Sequence, residues 1–339
     1  MAHRSAAEVL TWGRVTVEPA LRAAVDGLPT PARLVAGYHF GWWDESGRAV
    51  EADRGKAVRP ALALLAAEAV GGCVTAATPA AVAVELVHNF SLLHDDVMDR
   101  DTTRRHRPTA WSVFGISAAI LAGDALLTLA LDVLAGTGRT VAPEATRTLS
   151  AAVQRLIDGQ CADTDFERRS DVTLADCVRM AENKTGALLG AACALGALFG
   201  GGSPGQVRHL SQFGSHLGLA FQHVDDLLGI WGDPAVTGKP AHSDLANRKK
   251  SLPVVAALQA TGPQARELHA LYQADAELTP AQLTHAATLV ERAGGRTWSR
   301  HQADTLLAAA QEDLRAVRPA PRPAAELTAL ALLATHRDH

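Results

Sequence analysis

Apolar residues recur every three to four positions through Ala57–Val70, Pro79–Met98, Ile116–Leu134, Pro143–Phe166, Leu174–Leu198 and Pro204–Trp231, and no stretch sustains the alternation of a strand. That period lines apolar side chains along one stripe of a helix, and only packing against other helices buries such a stripe. Aromatic residues make up just 4% of the chain while Ala and Leu crowd nearly every segment. Small side chains let helices approach closely, whereas sheets draw on Val, Ile and Tyr. The sequence predicts an all-α protein.

Breaks fall at Gly71-Gly72, Gly136-Thr137-Gly138, Gly200-Gly201-Gly202-Ser203-Pro204 and Gly232-Asp233-Pro234, which read as short interhelical turns. None is long enough to be a domain linker and no fixed-period repeat is found, so residues 1–339 are expected to form one domain. Hydrophobic residues at 47% and charged residues at 20% suffice for a sizeable core. The exception to the short turns is Gly232–Lys250, a polar segment nineteen residues long, broken by two prolines and two glycines. Irregular segments of that length are usually functional or disordered, and its place after an acidic helix end suggests a mobile lid over a charged site. From about Thr261 onward weaker amphipathic helices follow, without a chemical cluster.

A formal net charge of -4 argues against a general nucleic-acid binder, which needs a basic face. Cys73, Cys161, Cys177 and Cys193 lack metal or disulfide spacing and fit a reducing cytoplasm. The first residues reach an acid and a proline too early for an apolar signal core, so no signal peptide is expected. Thr185–Ser203 is uncharged but barely reaches the roughly 20 residues that span a bilayer. It ends in glycines and reads as a buried core helix, so no transmembrane segment is expected.

The densest chemistry is His94-Asp95-Asp96-Val97-Met98-Asp99, followed by Arg104 and Arg105, at the end of an apolar helical run. On a helix, Asp95 and Asp99 lie within about 40° of each other. Carboxylates so close repel unless a cation sits among them, and hard oxygen ligands suit magnesium, which also binds phosphates. Arg104 and Arg105 supply cationic partners for phosphate oxygens. A solvated helix end whose charges pair with each other is the competing reading of one such motif. The pattern recurs, however, as Phe221-Gln222-His223-Val224-Asp225-Asp226-Leu227-Leu228-Gly229, again closing a long apolar helix. Two acidic helix ends facing across a cavity could hold magnesium around one diphosphate and stabilise the charge released when a carbon–oxygen bond ionises.

From about Gly55 to Pro253 the motifs resemble, in order, those of the trans-prenyl diphosphate synthases, the polyprenyl synthetase family. Gly55-Lys56-Ala57-Val58-Arg59-Pro60 looks like its G-K-x-x-R-P, and Glu85 to His88 like its E-x-x-H. Asp95, Asp96 and Asp99 match its first aspartate-rich motif, with Arg104, Arg105 and Pro108-Thr109 after it. Gly159-Gln160 with Asp163, Lys184-Thr185, Phe221-Gln222, Gly238-Lys239, and Lys249 with Ser251-Leu252-Pro253 match further on. Singly, each basic residue reads as an ordinary surface charge. The resemblance implies an isoprenoid synthase-like bundle of about ten to thirteen helices around a central cavity, and a homodimer.

It also implies the chemistry. Magnesium held by Asp95, Asp96, Asp99, Asp225 and Asp226 would bind an allylic diphosphate, with Arg104, Lys184, Thr185, Gln222, Lys239 and Lys249 on the substrate side. Isopentenyl diphosphate, held by Lys56, Arg59, His88 and Arg105, would attack the allylic cation. Asp95, Asp96, Lys184, Asp225 and Lys239 would be the residues on which catalysis depends. Two departures stand out: Gly229 replaces a third Asp, and His106 replaces a Gly after the double arginine.

Product length in such enzymes is limited just before the first motif. Phe90 lies five residues back, about 7.5 Å along the helix, with small Ser91 beside it. That pairing implies a medium-chain product, geranylgeranyl diphosphate ahead of farnesyl diphosphate. The competing reading makes Phe90 a core residue facing another helix, since it lies about 140° from Asp95. Rival functions are a class I terpene cyclase, which leaves Lys56, Arg59, His88 and Arg105 without a role, a helical phosphohydrolase, and a catalytically silent subunit, which Gly229 raises.

Overall fold

Several helix starts follow directly from local sequence. Ser5 accepts from the Glu8 N–H while the Glu8 carboxylate accepts from the Ser5 N–H, and the pairs Thr173/Asp176 and Thr279/Gln282 repeat this reciprocal cap. The computed structural model describes residues 3–50, 52–53, 55–234, 240–273 and 276–335, and most of these are helical, as expected. In order they are α1 (Ala6–Asp26), α2 (Thr30–His39), α3 (Val58–Ala69), α4 (Val74–Met98), α5 (Ala110–Phe114), α6 (Ile116–Ala135), α7 (Ala142–Phe166), α8 (Leu174–Ala181), α9 (Ala187–Phe199) and α10 (Pro204–Trp231). After these come α11 (Ser243–Ala246), α12 (Leu252–Leu258), α13 (Pro263–Gln273), α14 (Pro280–Arg292), α15 (Gly295–Val317) and α16 (Pro321–Thr335). The strands are β1 (Thr103–Arg104) and β2 (Arg107–Pro108), paired as a minimal hairpin.

Most expected helix bounds agree closely, with two instructive differences. Helix α4 begins at Val74 rather than Pro79, because a proline early in a helix forfeits one hydrogen bond without ending it. The expected Leu174–Leu198 helix is interrupted by a π-helical turn at Glu182–Gly186. Such turns recur at functional sites.

The chain divides into two compact units. The first comprises Met1–Val153, Leu188–Ser211 and Asp313–Leu330. Its core is built from small side chains: Ala61 through Ala67 are fully buried, and at Gly196 an added Cβ would lie 2.0 Å from the Ala63 carbonyl oxygen. The second comprises Gln154–Ala187, Gln212–Glu312 and Ala331–His339. Ile230, Val254, Leu268, Leu289 and Val290 pack in one of its clusters, and Phe166, Cys177, Met180, Leu219 and Leu252 in another.

Residues of Thr185–Ser203 within α9 are buried, in keeping with a core helix. Among the described residues, α4 and α6 are long and apolar enough to cross a membrane; the apolar stretch of α4 is 67% buried and that of α6 is 33% buried. Of the predicted loop Gly232–Lys250, residues 235–239 lie outside the described residues, Lys239 among them. The remainder includes the short helix α11.

Candidate functional site

In the first unit the cationic residues gather around one buried carboxylate. Arg59 stands in the first turn of α3, and burial pushes its pKa down to about 10 while neighbouring Glu85 works the other way. Glu85 is itself raised by burial, against Arg59. It also accepts from the Asn89 amide at 3.1 Å. His88, one turn further along α4, is held well below the usual histidine range by burial and then by Arg59 and Arg105. It is therefore a neutral imidazole among guanidiniums, and the cluster carries more positive than negative charge. Lys56 immediately precedes the left-handed Ala57 that caps α3, and follows Gly55.

At the C-terminal end of α4, Asp95 and Asp96 lie in the last turn and Asp99 caps it, where the helix dipole already disfavours negative charge. Their environments differ. Asp96 is 1% exposed and accepts from Arg104 Nε at 2.7 Å, while its Oδ2 is buried without a partner. Burial raises it to about 6, against the pull of Arg104. Asp95 is half-buried and Asp99 exposed.

The hairpin after the motif sends three arginines to three places. Arg104 engages Asp96, and Arg105 lies against Gly55, where an added Cβ would meet its Nη2 at 2.7 Å. Arg107 donates to the Tyr38 and Trp43 carbonyls, both at 3.2 Å, and covers the Tyr38 ring. The two turn residues, Arg105 and His106, have φ of 51° and 59°. This left-handed pair matches the tightest hairpin connection and explains why glycine suits position 106. His106 is exposed and accepts the strain. The variant His106→Gly relieves a left-handed penalty of about 1–2 kcal/mol, partly offset by glycine's greater freedom in the unfolded chain, and is expected to raise stability, read as a higher denaturant midpoint at unchanged slope.

His39, not anticipated from sequence, joins Asp96, Arg104, Arg105 and Arg107 in lining a cavity of about 20 Å³. Burial, then Arg105 and Arg104, hold it neutral with a pKa of about 3. Phe90 is 5% exposed and meets the His94 ring edge-on at 4.8 Å. His94 in turn packs on Gly123 of α6, so Phe90 belongs to the α4–α6 seam. The Ser91 hydroxyl donates back to the His88 carbonyl at 2.8 Å.

In the second unit, Gly159 of α7 touches the π-helical turn so closely that a Cβ would lie 2.4 Å from the Lys184 nitrogen. This approach lets Lys184 reach Asp163 at 2.6 Å. Thr185 donates to Gln222 at 2.7 Å, Gln222 to Asp226 at 2.8 Å, and the Leu252 N–H to the other Asp226 oxygen at 2.9 Å. Asp226 is thus fixed in place, and burial raises it to about 7, with Lys249 opposing. Burial also works against the charge of Lys249, yet Asp226 and Asp244 hold its pKa above the usual lysine value. Asp225 is exposed.

Gly229 has a neighbour that the sequence did not reveal. An added Cβ there would lie 2.4 and 2.7 Å from the two carboxylate oxygens of Asp244. The Ser243 hydroxyl and the His242 ring also bond the carbonyls of Gly229 and Ile230. Asp244 thus fills the room in which a third aspartate of the motif would begin.

Among the described residues no three His, Cys, Asp or Glu side chains converge on one point as a ready-made metal cluster. Magnesium does not require one, because it keeps several waters and binds through one or two carboxylates plus substrate phosphates. Asp95 and Asp99 in the first unit, and Asp225 in the second, each suit it as a carboxylate donor beside a diphosphate.

Residues 42–290 match the model of the polyprenyl synthetase family. The chain is 48% identical over 327 residues to (2E,6E)-farnesyl diphosphate synthase of Mycobacterium tuberculosis, covering 95% of this chain and 91% of that protein. It is 49% identical over 303 residues to geranylgeranyl diphosphate synthase of the same organism, covering 89% and 87%. A crystal structure of a polyprenyl synthetase from Streptomyces coelicolor A3(2) superposes with a TM-score of 0.92 at 50% identity, covering 96% of this chain and 98% of that one.

Proposed function

The chain belongs to the polyprenyl synthetase family and is a prenyltransferase of the prenyl diphosphate synthase type, and from that premise we propose that it extends allylic diphosphates with isopentenyl diphosphate to geranylgeranyl diphosphate, with magnesium. The observation that carries this reading is the surplus of buried positive charge around Glu85. Arg59, Arg105 and neutral His88 form a buried cluster whose positive charge a bound anion would balance.

In this reading Lys56, Arg59, His88 and Arg105 hold the isopentenyl diphosphate, His88 donating a hydrogen bond without adding charge. Magnesium, when bound, screens the allylic diphosphate and stabilises it as a leaving group. Asp95, Asp99 and Asp225 are the carboxylates that would hold it. Asp96 and Asp226, tied up by Arg104, Gln222 and Leu252, act by fixing the neighbours they bond. Arg104, Lys184, Thr185, Gln222, Lys239 and Lys249 serve the allylic diphosphate. The new bond joins the allylic carbon to isopentenyl diphosphate, and the proton that the product must lose passes to the departing diphosphate.

A cytoplasmic homodimer completes the proposal. The exposed Ile116, Ile120 and Leu121 on α6 support a second copy as the partner, and the exposed thiols of Cys73 and Cys161 support a reducing compartment. Supplying the purified protein with magnesium, isopentenyl diphosphate and each allylic starter, then sizing the products, tests the reading. Absence of any condensation would overturn it.

Farnesyl diphosphate is the alternative product, since the two mycobacterial relatives differ on this point at nearly equal identity. The limit on chain length is tested at Phe90. If its ring limits the chain, Phe90→Ala opens apolar volume and shifts the product distribution to longer chains. An unchanged distribution in an active, folded variant would place the limit elsewhere and leave Phe90 a core residue of the α4–α6 seam.

A further inference from the structure

We propose that Arg14, on the first helix, is a positioning residue for isopentenyl diphosphate, acting by holding the Gly55 turn that presents Lys56. The inference rests on the reading above that Lys56 and Arg59 bind that substrate. Its starting point is Gly13. There α1 meets α3 so closely that a Cβ would lie 2.9 Å from the Ala61 Cβ and 3.1 Å from its Cα. Any larger residue would push the two helices apart, so this contact fixes the register of α1 against α3 at the very next position, Arg14.

From there Arg14 Nη2 donates to the Gly55 carbonyl at 2.5 Å, a contact between residues 41 apart in sequence. Its Nε is buried and has no hydrogen-bond partner. Gly55 is also held from two further directions. Its N–H donates to Asp53 Oδ1 at 2.8 Å, and the Arg105 guanidinium leaves no room for a side chain at this position.

The turn needs such support because of its own conformation. Gly55 has φ of +76° and Ala57 φ of 52°, so left-handed residues stand on both sides of Lys56. A β-carbon makes that conformation unfavourable at Ala57, and local sequence alone does not maintain it. Arg59 follows directly within the first turn of α3, so the direction of the Gly55 turn sets how Lys56 and Arg59 are offered together.

The test compares Arg14→Ala and Arg14→Lys with the wild type by steady-state kinetics, melting temperature and isothermal titration with isopentenyl diphosphate. For Arg14→Ala the KM and Kd for isopentenyl diphosphate are expected to rise about tenfold, equivalent to about 1.4 kcal/mol. The KM for the allylic substrate and the melting temperature should stay close to wild type. Arg14→Lys, which keeps a cationic donor, should recover part of the loss. An unchanged affinity for isopentenyl diphosphate overturns the proposal. So does an equal rise in both KM values accompanied by a lower melting temperature in both variants, which marks a merely structural role. A wild-type protein that neither binds nor condenses isopentenyl diphosphate overturns the functional reading as well, whereas an active wild type indifferent to Arg14 overturns this inference alone.

Discussion

Asp95→Ala and Asp225→Ala are each expected to lower turnover by about a hundredfold to a thousandfold, the usual cost of removing one group that stabilises developing charge. Both residues are less buried than their neighbours Asp96 and Asp226, so the melting temperature should fall less than it does on removing either buried neighbour. Asp96→Ala differs, because it leaves Arg104 without its 2.7 Å partner and should cost stability as well as activity. A second readout separates ligand binding from chemistry. Magnesium together with inorganic diphosphate should raise the wild-type melting temperature, by about 2.7 kcal/mol of stability at a hundred times Kd, and this gain should shrink in both alanine variants. Near-normal condensation by both would overturn the assignment of metal-binding roles to the two motifs.

Gly229→Asp would restore the third aspartate of the second motif, yet it is expected to reduce activity at least tenfold. The new side chain would start 2.4 Å from an Asp244 carboxylate oxygen, and one of the two must move. Two carboxylates about 4 Å apart also repel by about 4 kcal/mol in a partly polar protein environment. Combining Gly229→Asp with Asp244→Gly removes both the clash and the repulsion, so the double variant should regain activity relative to Gly229→Asp alone. Activity equal to wild type in the single variant would show that Asp244 gives way at little cost.

Much of the fold is legible in the sequence because helical periodicity is a local property. The periodic span Pro204–Trp231 coincides with α10, and the reciprocal caps at Ser5 and Thr173 rest on residues three apart. The motifs are legible for a similar reason, since residues four apart on a helix share a face before any tertiary contact forms. The π-helical turn at Glu182–Gly186 is not, because no local pattern distinguishes it from the surrounding helix.

The sequence by itself determined the helices, the acidic ends of α4 and α10, and the residues that resemble a diphosphate site. Tertiary structure decided what each of those residues does with its charge. It paired Asp96 with Arg104 and left Asp99 exposed, although both aspartates belong to one motif. It also placed Asp244 against Gly229 and Arg14 against Gly55, contacts between residues distant in sequence. Such pairings follow from how close two backbones come, and here that closeness is set by missing side chains at Gly13, Gly55, Gly159 and Gly229. A glycine in a sequence shows that room is available; only the packed chain shows which group takes it.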